Sequence, residues 1–511
     1  MTQTAVNDRL SDWINPIAIK EMRQAVKGRI LTWMLILFLL AQLVIMGGGM
    51  LLSEFSTDSF NAGPPLLTAL LFSLLVVCLL FLPAIFGMRL SAERTQGRID
   101  LLFVTDMSPY SIIWGKTLAG IVLTSLLFST SLPFLTLTYL LRGVDLPSIF
   151  IMIALNFLVV IVTIQGAIFL ACFPGGIISR GIRFLFGLGG ALFVLSMMSS
   201  VSFGLLMGGI GSQLATWQFW GPALTVLGML LLGMGLLYVL SAVAISPPSA
   251  NRSPAVRLYL LVIWLCMSLC SLLWYLNTHE REILTIWFFP MLILFGLTFI
   301  VSLSERYDYG PRIRAKIPRS RWLRFPLFFL YSGACGGMFF SLLMMGLTLG
   351  VFYLIGAAIP TFDKMLDQQD HLRIITLCLY LVCYGLSALA LRRLFLGGDQ
   401  SNVTTVMISL ILITSFSLAP YLFAWIFVYR DIDRIPEYWS LGNPMIVFME
   451  PRILGDALNL TLIWALVVFS LNIPWFAKQI RSFKPLAAGE ALPAEQPAVV
   501  EIVIPEEMPA S

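Results

Sequence analysis

Residues 89–116 read RLSAERTQGRIDLLFVTDMSPYSIIWGK, a charged island between two long apolar runs. Neighbouring apolar runs of this length are usually joined by a few residues. Here a whole element intervenes, carrying Arg89, Glu93, Arg94, Arg98, Asp100, Asp106 and Lys116. Ile99, Leu102 and Phe103 fall at i, i+3 and i+4, which predicts a short helix with one apolar stripe. Ser108 and Pro109 then supply an N-cap and a first helical residue for the next apolar run. A short helix of this kind either docks a soluble partner or lies on lipid headgroups. The residue pattern by itself leaves both open.

The runs on either side fix the class. The chain is 511 residues long, 59% hydrophobic and only 12% charged, with a mean hydropathy of +0.90. Soluble domains carry about 25% charged residues, so a soluble globule is excluded. A transmembrane helix needs about 20 apolar residues, and many such runs are present. A β-barrel would instead alternate over segments of about ten residues. The expected fold is therefore all-α and polytopic. No cleavable signal is expected, because the first apolar run begins near Ile30, behind a charged helical segment, and is long enough to remain as a span.

Twelve spans are predicted, at about 31–52, 66–88, 112–140, 148–173, 183–209, 222–245, 257–277, 283–303, 326–358, 372–391, 403–428 and 457–477. With the N-terminus inside, 25 of the 32 lysines and arginines fall on the cytoplasmic side and 7 outside. That asymmetry obeys the positive-inside rule, and a missed span would invert part of it. Both termini are then cytoplasmic. Pro83, Pro133, Pro290, Pro420 and Pro474 lie in or near the runs and are expected to kink them. Gly187–Gly190 and Gly333–Gly337 are expected to let helices approach closely. All seven cysteines lie in apolar runs, and Cys266 with Cys270, four apart, is expected to be buried packing rather than a metal pair.

Ahead of the first span, Asn15 and Pro16 open a segment that Gly28 closes. Ile14 is placed to staple onto Ile19 across the cap. Ile19, Met22 and Val26 form its predicted apolar face, and Lys20, Arg23, Gln24 and Lys27 its basic face, so it should lie on the cytoplasmic membrane surface.

Two features together resemble the ABC-2 type permeases, the membrane subunits of one class of ABC exporters. The first is Glu93-Arg94, Gly97, Ile99-Asp100-Leu101-Leu102, Thr105, Ser108 and Gly115-Lys116. These look like that family's first cytoplasmic loop, which holds a coupling helix. The second is the Asn15-Pro16 start with Lys20, Glu21 and Arg23, similar to the family's amphipathic elbow helix. Departures occur at Arg98, where a small hydroxyl residue is usual, and at Asp106, where proline is common.

The resemblance implies a permease in the cytoplasmic (inner) membrane of a prokaryote, driven by a separate ABC ATPase subunit that binds the ATP and Mg. Glu93, Arg94, Gly97, Ile99, Leu101, Leu102, Phe103 and Thr105 would then be the docking residues. It also implies two membrane halves, as a homodimer or paired with a related permease, with lipid but no nucleic acid among the partners.

The layout reads as residues 1–30 with the elbow, 31–245 as a six-helix membrane domain, 246–484 as a second membrane region, and 485–511 as a disordered cytoplasmic tail. The second region's basic loop, 304–325, repeats Ser304-Glu305-Arg306 and a following Gly310, but it lacks the apolar stripe. A repeat is therefore only hinted at, and the family motifs cover the first half alone.

Catalytic motifs are sparse. Gly115-Lys116-Thr117 ends like a phosphate-binding loop, yet position 110 is tyrosine where that loop needs glycine, and no strand precedes it. The chain therefore reads as having no ATP site and no enzymatic role of its own. Asp431 and Asp433 form a DxD flanked by Arg430 and Arg434, which favour surface pairing over metal binding. Asp308 and Asp399 fall in loops, against an intramembrane protease. Ion-coupled transporters place charge at mid-membrane; here the polar residues of the spans are Gln42, Asn156 and Gln165. The remaining alternatives are a polytopic glycosyltransferase and an ATP-independent secondary transporter. Spans that are apolar, aromatic and uncharged lean toward a hydrophobic or lipid-like cargo.

Overall fold

The computed structural model describes residues 15–55, 63–97, 107–140, 144–207, 216–247, 250–280, 282–305, 309–357, 368–396, 403–427, 441–445 and 451–486. Among them every regular element is helical. Twelve helices are long and apolar enough to cross a membrane. The chain is an integral membrane protein by that architecture. The same conclusion follows from its surface: Ile36, Leu37, Leu40, Leu43 and Val44 of the first span are all exposed. Such a stripe is unsustainable in water and ordinary against lipid.

Two compact units divide the chain, residues 1–247 with 255–283, and residues 248–254 with 284–511. In the first, α1 (Pro16–Lys27) precedes α2 (Arg29–Phe55). The second span is α3 (Gly63–Val76), one π turn (Val77–Phe81) and α4 (Leu82–Thr95). Pro83 has no N–H to donate to the turn before it, and the wider π turn lies where that bond is missing. Then come α5 (Pro109–Leu140), α6 (Leu146–Ala171), α7 (Ile177–Met207), α8 (Trp217–Ile245) and α9 (Ser253–Thr278). α9 packs with α8: Tyr259 donates to the Leu232 carbonyl at 3.2 Å, and a Cβ on Gly221 would meet the Trp274 ring at 3.0 Å. The core is centred on α3, α5 and α6, with Leu67, Leu70, Leu74, Ile112, Leu127, Met152 and Val160 essentially inaccessible.

The second unit holds α10 (Glu282–Ser302), the short α11 (Pro311–Ala315), α12 (Arg321–Leu330), α13 (Ala334–Ala357), α14 (Gln368–Leu391), α15 (Val403–Phe427) and α16 (Leu454–Ser482). α14 and α16 form its principal pair. Trp464 donates to Ser387 Oγ at 3.0 Å, and Asn472 bridges the Leu386 carbonyl at 3.1 Å and Arg393 at 2.8 Å. Tyr380 and Tyr384 donate to the carbonyls of Leu441 and Gly442.

Three expectations need correction. The predicted span 326–358 is two elements: α12 stops at Leu330, and the span begins only at Ala334. Cys266 and Cys270 are exposed rather than buried; on a membrane helix an apolar residue can satisfy itself against lipid as well as in a core. Of the first glycine cluster, Gly187 alone meets a neighbour, Leu170 at 3.3 Å, while a Cβ on Gly189 or Gly190 would meet nothing within 4 Å. Among the described residues the fully buried charged ones, Glu21, Lys116, Arg257 and Arg392, lie in α1 or within eight residues of an end of their span. The residues 1–14 (with Ile14), 98–106, Asp308, Asp399, Asp431 and Asp433, and 487–511 lie outside the described residues.

Candidate functional site

The two stems of the island meet on one small helix. Asn15 does two jobs there. Its Oδ1 accepts from Ile17 N at 3.0 Å, capping α1. Its Nδ2 donates to the Ser111 carbonyl at 2.6 Å and to Ser111 Oγ at 3.1 Å, fastening the cap to the first turn of α5. That turn is itself capped, since Ser111 N donates to Ser108 Oγ at 3.2 Å. Pro16 and Pro109 each open their helix, where a missing N–H costs nothing.

Behind the caps lies a charge cluster. Lys116 donates to Glu21 and, at 2.7 Å, to Glu93 Oε2. Lys20 reaches Glu93 Oε1 at 3.4 Å. Two carboxylates and two ammonium groups balance. The Lys116 and Glu21 side chains are only 4% and 2% exposed, whereas Lys20 is 51% exposed. The strength of the cluster therefore sits in Lys116, because a solvated pair contributes only about 0–1 kcal/mol. Lys116 joins three elements: α1 through Glu21, the end of α4 through Glu93, and α5 by its own backbone.

The face of α1 that packs differs from the predicted one. Ile17, Ala18, Glu21 and Ala25 are buried, Ile19 and Met22 half-buried, and Val26 is exposed. Glu21 belonged to neither predicted face, and the surface that α1 meets carries a cation, Lys116. Lys20, Arg23, Gln24 and Lys27 are exposed as expected. Gly28 does end the helix, though in extended rather than left-handed backbone.

Gly115 explains how α1 comes so near. A Cβ there would stand 2.8 Å from Ile17 Cβ and 3.0 Å from Asn15 Oδ1. The resemblance of Gly115-Lys116-Thr117 to a phosphate loop thus has a packing origin. Replacing Gly115 by alanine gains about 0.8–1 kcal/mol of helix propensity, but overpacking against Cβ and backbone-proximal atoms costs about 1–3 kcal/mol. Gly115→Ala is therefore expected to lower the melting temperature of the purified protein, whereas Gly181→Ala, which lies in α7 and meets open space, keeps the propensity gain and should not lower it.

Next to Lys116, Thr117 Oγ1 lies 2.6 Å from Gln165 Oε1, and Gln165 Nε2 donates to Ser241 Oγ at 3.3 Å, tying α5 to α6 and α8. Tyr238 of α8 donates to the Tyr110 carbonyl at 3.0 Å and packs on Trp114. The start of α5 is gripped on both sides.

On the other stem, Gly97 ends the helical run with φ +65°, a left-handed conformation that favours glycine. Its N–H reaches the Arg94 carbonyl at 3.3 Å. Arg94 is half-buried, and Arg180 of α7 reaches Thr95 Oγ1 at 3.4 Å.

The structure therefore brings together Asn15, Pro16, Lys20, Glu21, Glu93 and Lys116. Arg23 points to solvent. Ile99, Leu101, Leu102, Phe103 and Thr105 fall outside the described residues. Ser111, Gln165 and Tyr238 were not anticipated as supports. The pairing of Glu21 with Lys116 was also missed, though a carboxylate in register with Ile17 and Ala25 was its one local sign. In the second unit the counterpart Glu305 acts differently, accepting from Gly333 N at 2.8 Å. No group of three or more potential metal ligands occurs among the described residues.

Comparison of the chain with protein-family models, curated proteins and solved structures returned no match.

Proposed function

We propose that the chain is the permease subunit of an ATP-driven exporter of the ABC-2 type, and that residues 98–106 dock a separate ATPase. One observation carries this reading: the buried Glu21–Lys116–Glu93 cluster locks both stems of that loop to α1. A loop anchored in this way cannot be pushed without moving α1, the end of α4 and the start of α5 together. That is the mechanical requirement for delivering work from outside the membrane. An interfacial loop resting on headgroups has no use for such an anchorage. The position of the buried charges near span ends also supports ATP over an ion gradient, since a relay needs charge at depth.

In this reading ATP and Mg belong to the partner, and α1 is the elbow. Two permease halves assemble, either two copies or this chain with a related one, around a hydrophobic or lipid-like cargo. The chain tagged and purified from its own membranes should bring with it a polypeptide that hydrolyses ATP. Recovery of the chain free of any ATPase activity, in a detergent that preserves its melting transition, would argue for a secondary transporter.

The inside-facing termini follow from the same layout. Reporter tags placed after residue 2 and after residue 505 should both respond as cytoplasmic. Tags on opposite sides would break the twelve-span assignment and put the docking loop on an undetermined face.

A further inference from the structure

The proposed function leaves the most basic part of the chain unused. Lys316 and Arg319 between α11 and α12, Arg321 at the start of α12, and Lys478, Arg481 and Lys484 at the end of α16, are all exposed. They belong to one place. Phe483, just past α16, packs its ring on Phe328 of α12 at 5.5 Å, Tyr331 at 5.7 Å and Tyr309 at 5.3 Å. Leu486 N donates to the Arg314 carbonyl at 3.3 Å, and Tyr331 donates to the Lys316 carbonyl at 2.8 Å.

Three spans end at this level. α10 stops at Ser302, and Glu305 beyond it holds Gly333 N; α13 starts at Ala334 and α16 stops at Ser482. α12 lies between two of these ends in the chain, following α11 and leading into Ala334 at the start of α13. Its inner side buries Phe328. Its outer side presents Trp322 at 90%, Leu323 at 57% and Phe325 at 72% exposure. An exposed apolar stripe next to span ends, flanked by cations, matches the interfacial helix pattern, and tryptophan belongs at the headgroup level.

We infer that α12 and the adjoining end of α16 form a binding surface for anionic phospholipid. Trp322, Leu323 and Phe325 insert among the upper acyl chains, while Lys316, Arg319, Arg321, Lys478, Arg481 and Lys484 hold the phosphate headgroups. The choice of lipid over a protein partner rests on position: α12 ends at Leu330, just before the span that begins at Ala334, and the ends of apolar spans are where lipid headgroups lie. Charge decides the headgroup class, since clustered lysines and arginines beside a span attract anionic lipid.

The test uses the full-length chain reconstituted into vesicles of phosphatidylcholine, with or without phosphatidylglycerol. The emission of Trp322, one of 13 tryptophans, is taken as the difference between the wild type and Trp322→Phe. Brominated acyl chains should quench most of that difference and aqueous iodide little of it. Adding phosphatidylglycerol should increase the acyl-chain quenching, and the increase should be lost in Arg319→Gln/Arg321→Gln, whose total emission reports that the fold is intact. Iodide quenching of Trp322 in every bilayer would overturn the proposal and free this face for a soluble protein. Acyl-chain quenching that ignores both phosphatidylglycerol and the arginine substitutions would overturn the recognition of anionic headgroups.

Discussion

Replacing Lys116 by methionine is expected to destabilise the first unit by about 3–5 kcal/mol, the cost of leaving a buried ion without its partner. Methionine fills nearly the same space, so packing is a minor part of the effect. What remains is Glu21, 2% exposed and without its ammonium partner, beside Glu93, which keeps only the half-exposed Lys20. The diagnosis lies in the double variant. If the penalty comes from a stranded carboxylate, Glu21→Gln should make the double variant less unstable than the sum of the two single losses, although Glu21→Gln is itself destabilising in the wild type. A coupling of about 0.5–3 kcal/mol between the two positions is expected, read from unfolding of the purified protein in detergent. Simple additivity of the two losses would mean that the cluster does not act as a unit.

Membrane physics made much of the fold legible in the chain and hid particular parts of it. The spans could be counted because hydrocarbon leaves a helix no alternative but a long apolar run. The helix starts at Asn15-Pro16 and Ser108-Pro109 and the stop at Gly28 were readable because capping is local, decided within a turn. The break at 331–333 was hidden, since apolarity continues from Trp322 through Phe329 into the span. Only Arg321 and Arg324 on one side of that run set it apart from the span that follows. The exposed Cys266 and Cys270 teach a related point: in lipid, apolar does not imply interior.

The pairing of Glu21 with Lys116 spans 95 residues, and periodicity within either helix cannot supply a partner at that separation. The same limit applies to Ser111 and Tyr238, whose roles depend on which helix lies beside them.

The second large effect concerns the loop that these anchors hold. Docking of residues 98–106 on an ATPase would bury the Ile99, Leu102 and Phe103 stripe, with Glu93 and Arg94 orienting its base. Each buried leucine or phenylalanine contributes about 1.5–3 kcal/mol, against about 0–1 kcal/mol for an exposed ion pair. Affinity therefore resides in the stripe. Leu102→Asp/Phe103→Asp should detach the ATPase by removing two such contacts and burying two carboxylates in their place. Insertion of the spans should be unaffected, because both substitutions lie outside the apolar helices Gly63–Thr95 and Pro109–Leu140.

The same reasoning separates docking from anchorage. Glu93→Gln keeps the stripe and weakens only one arm of the Lys116 cluster, so the complex should survive it with looser coupling between ATP hydrolysis and transport. The most direct measurement is recovery of ATPase activity on the tagged chain, comparing wild type, Glu93→Gln and Leu102→Asp/Phe103→Asp at equal membrane insertion. Near-complete loss is expected for the double aspartate variant and retention for Glu93→Gln. Undiminished recovery with the double aspartate variant would contradict docking, leaving residues 98–106 as an interfacial loop.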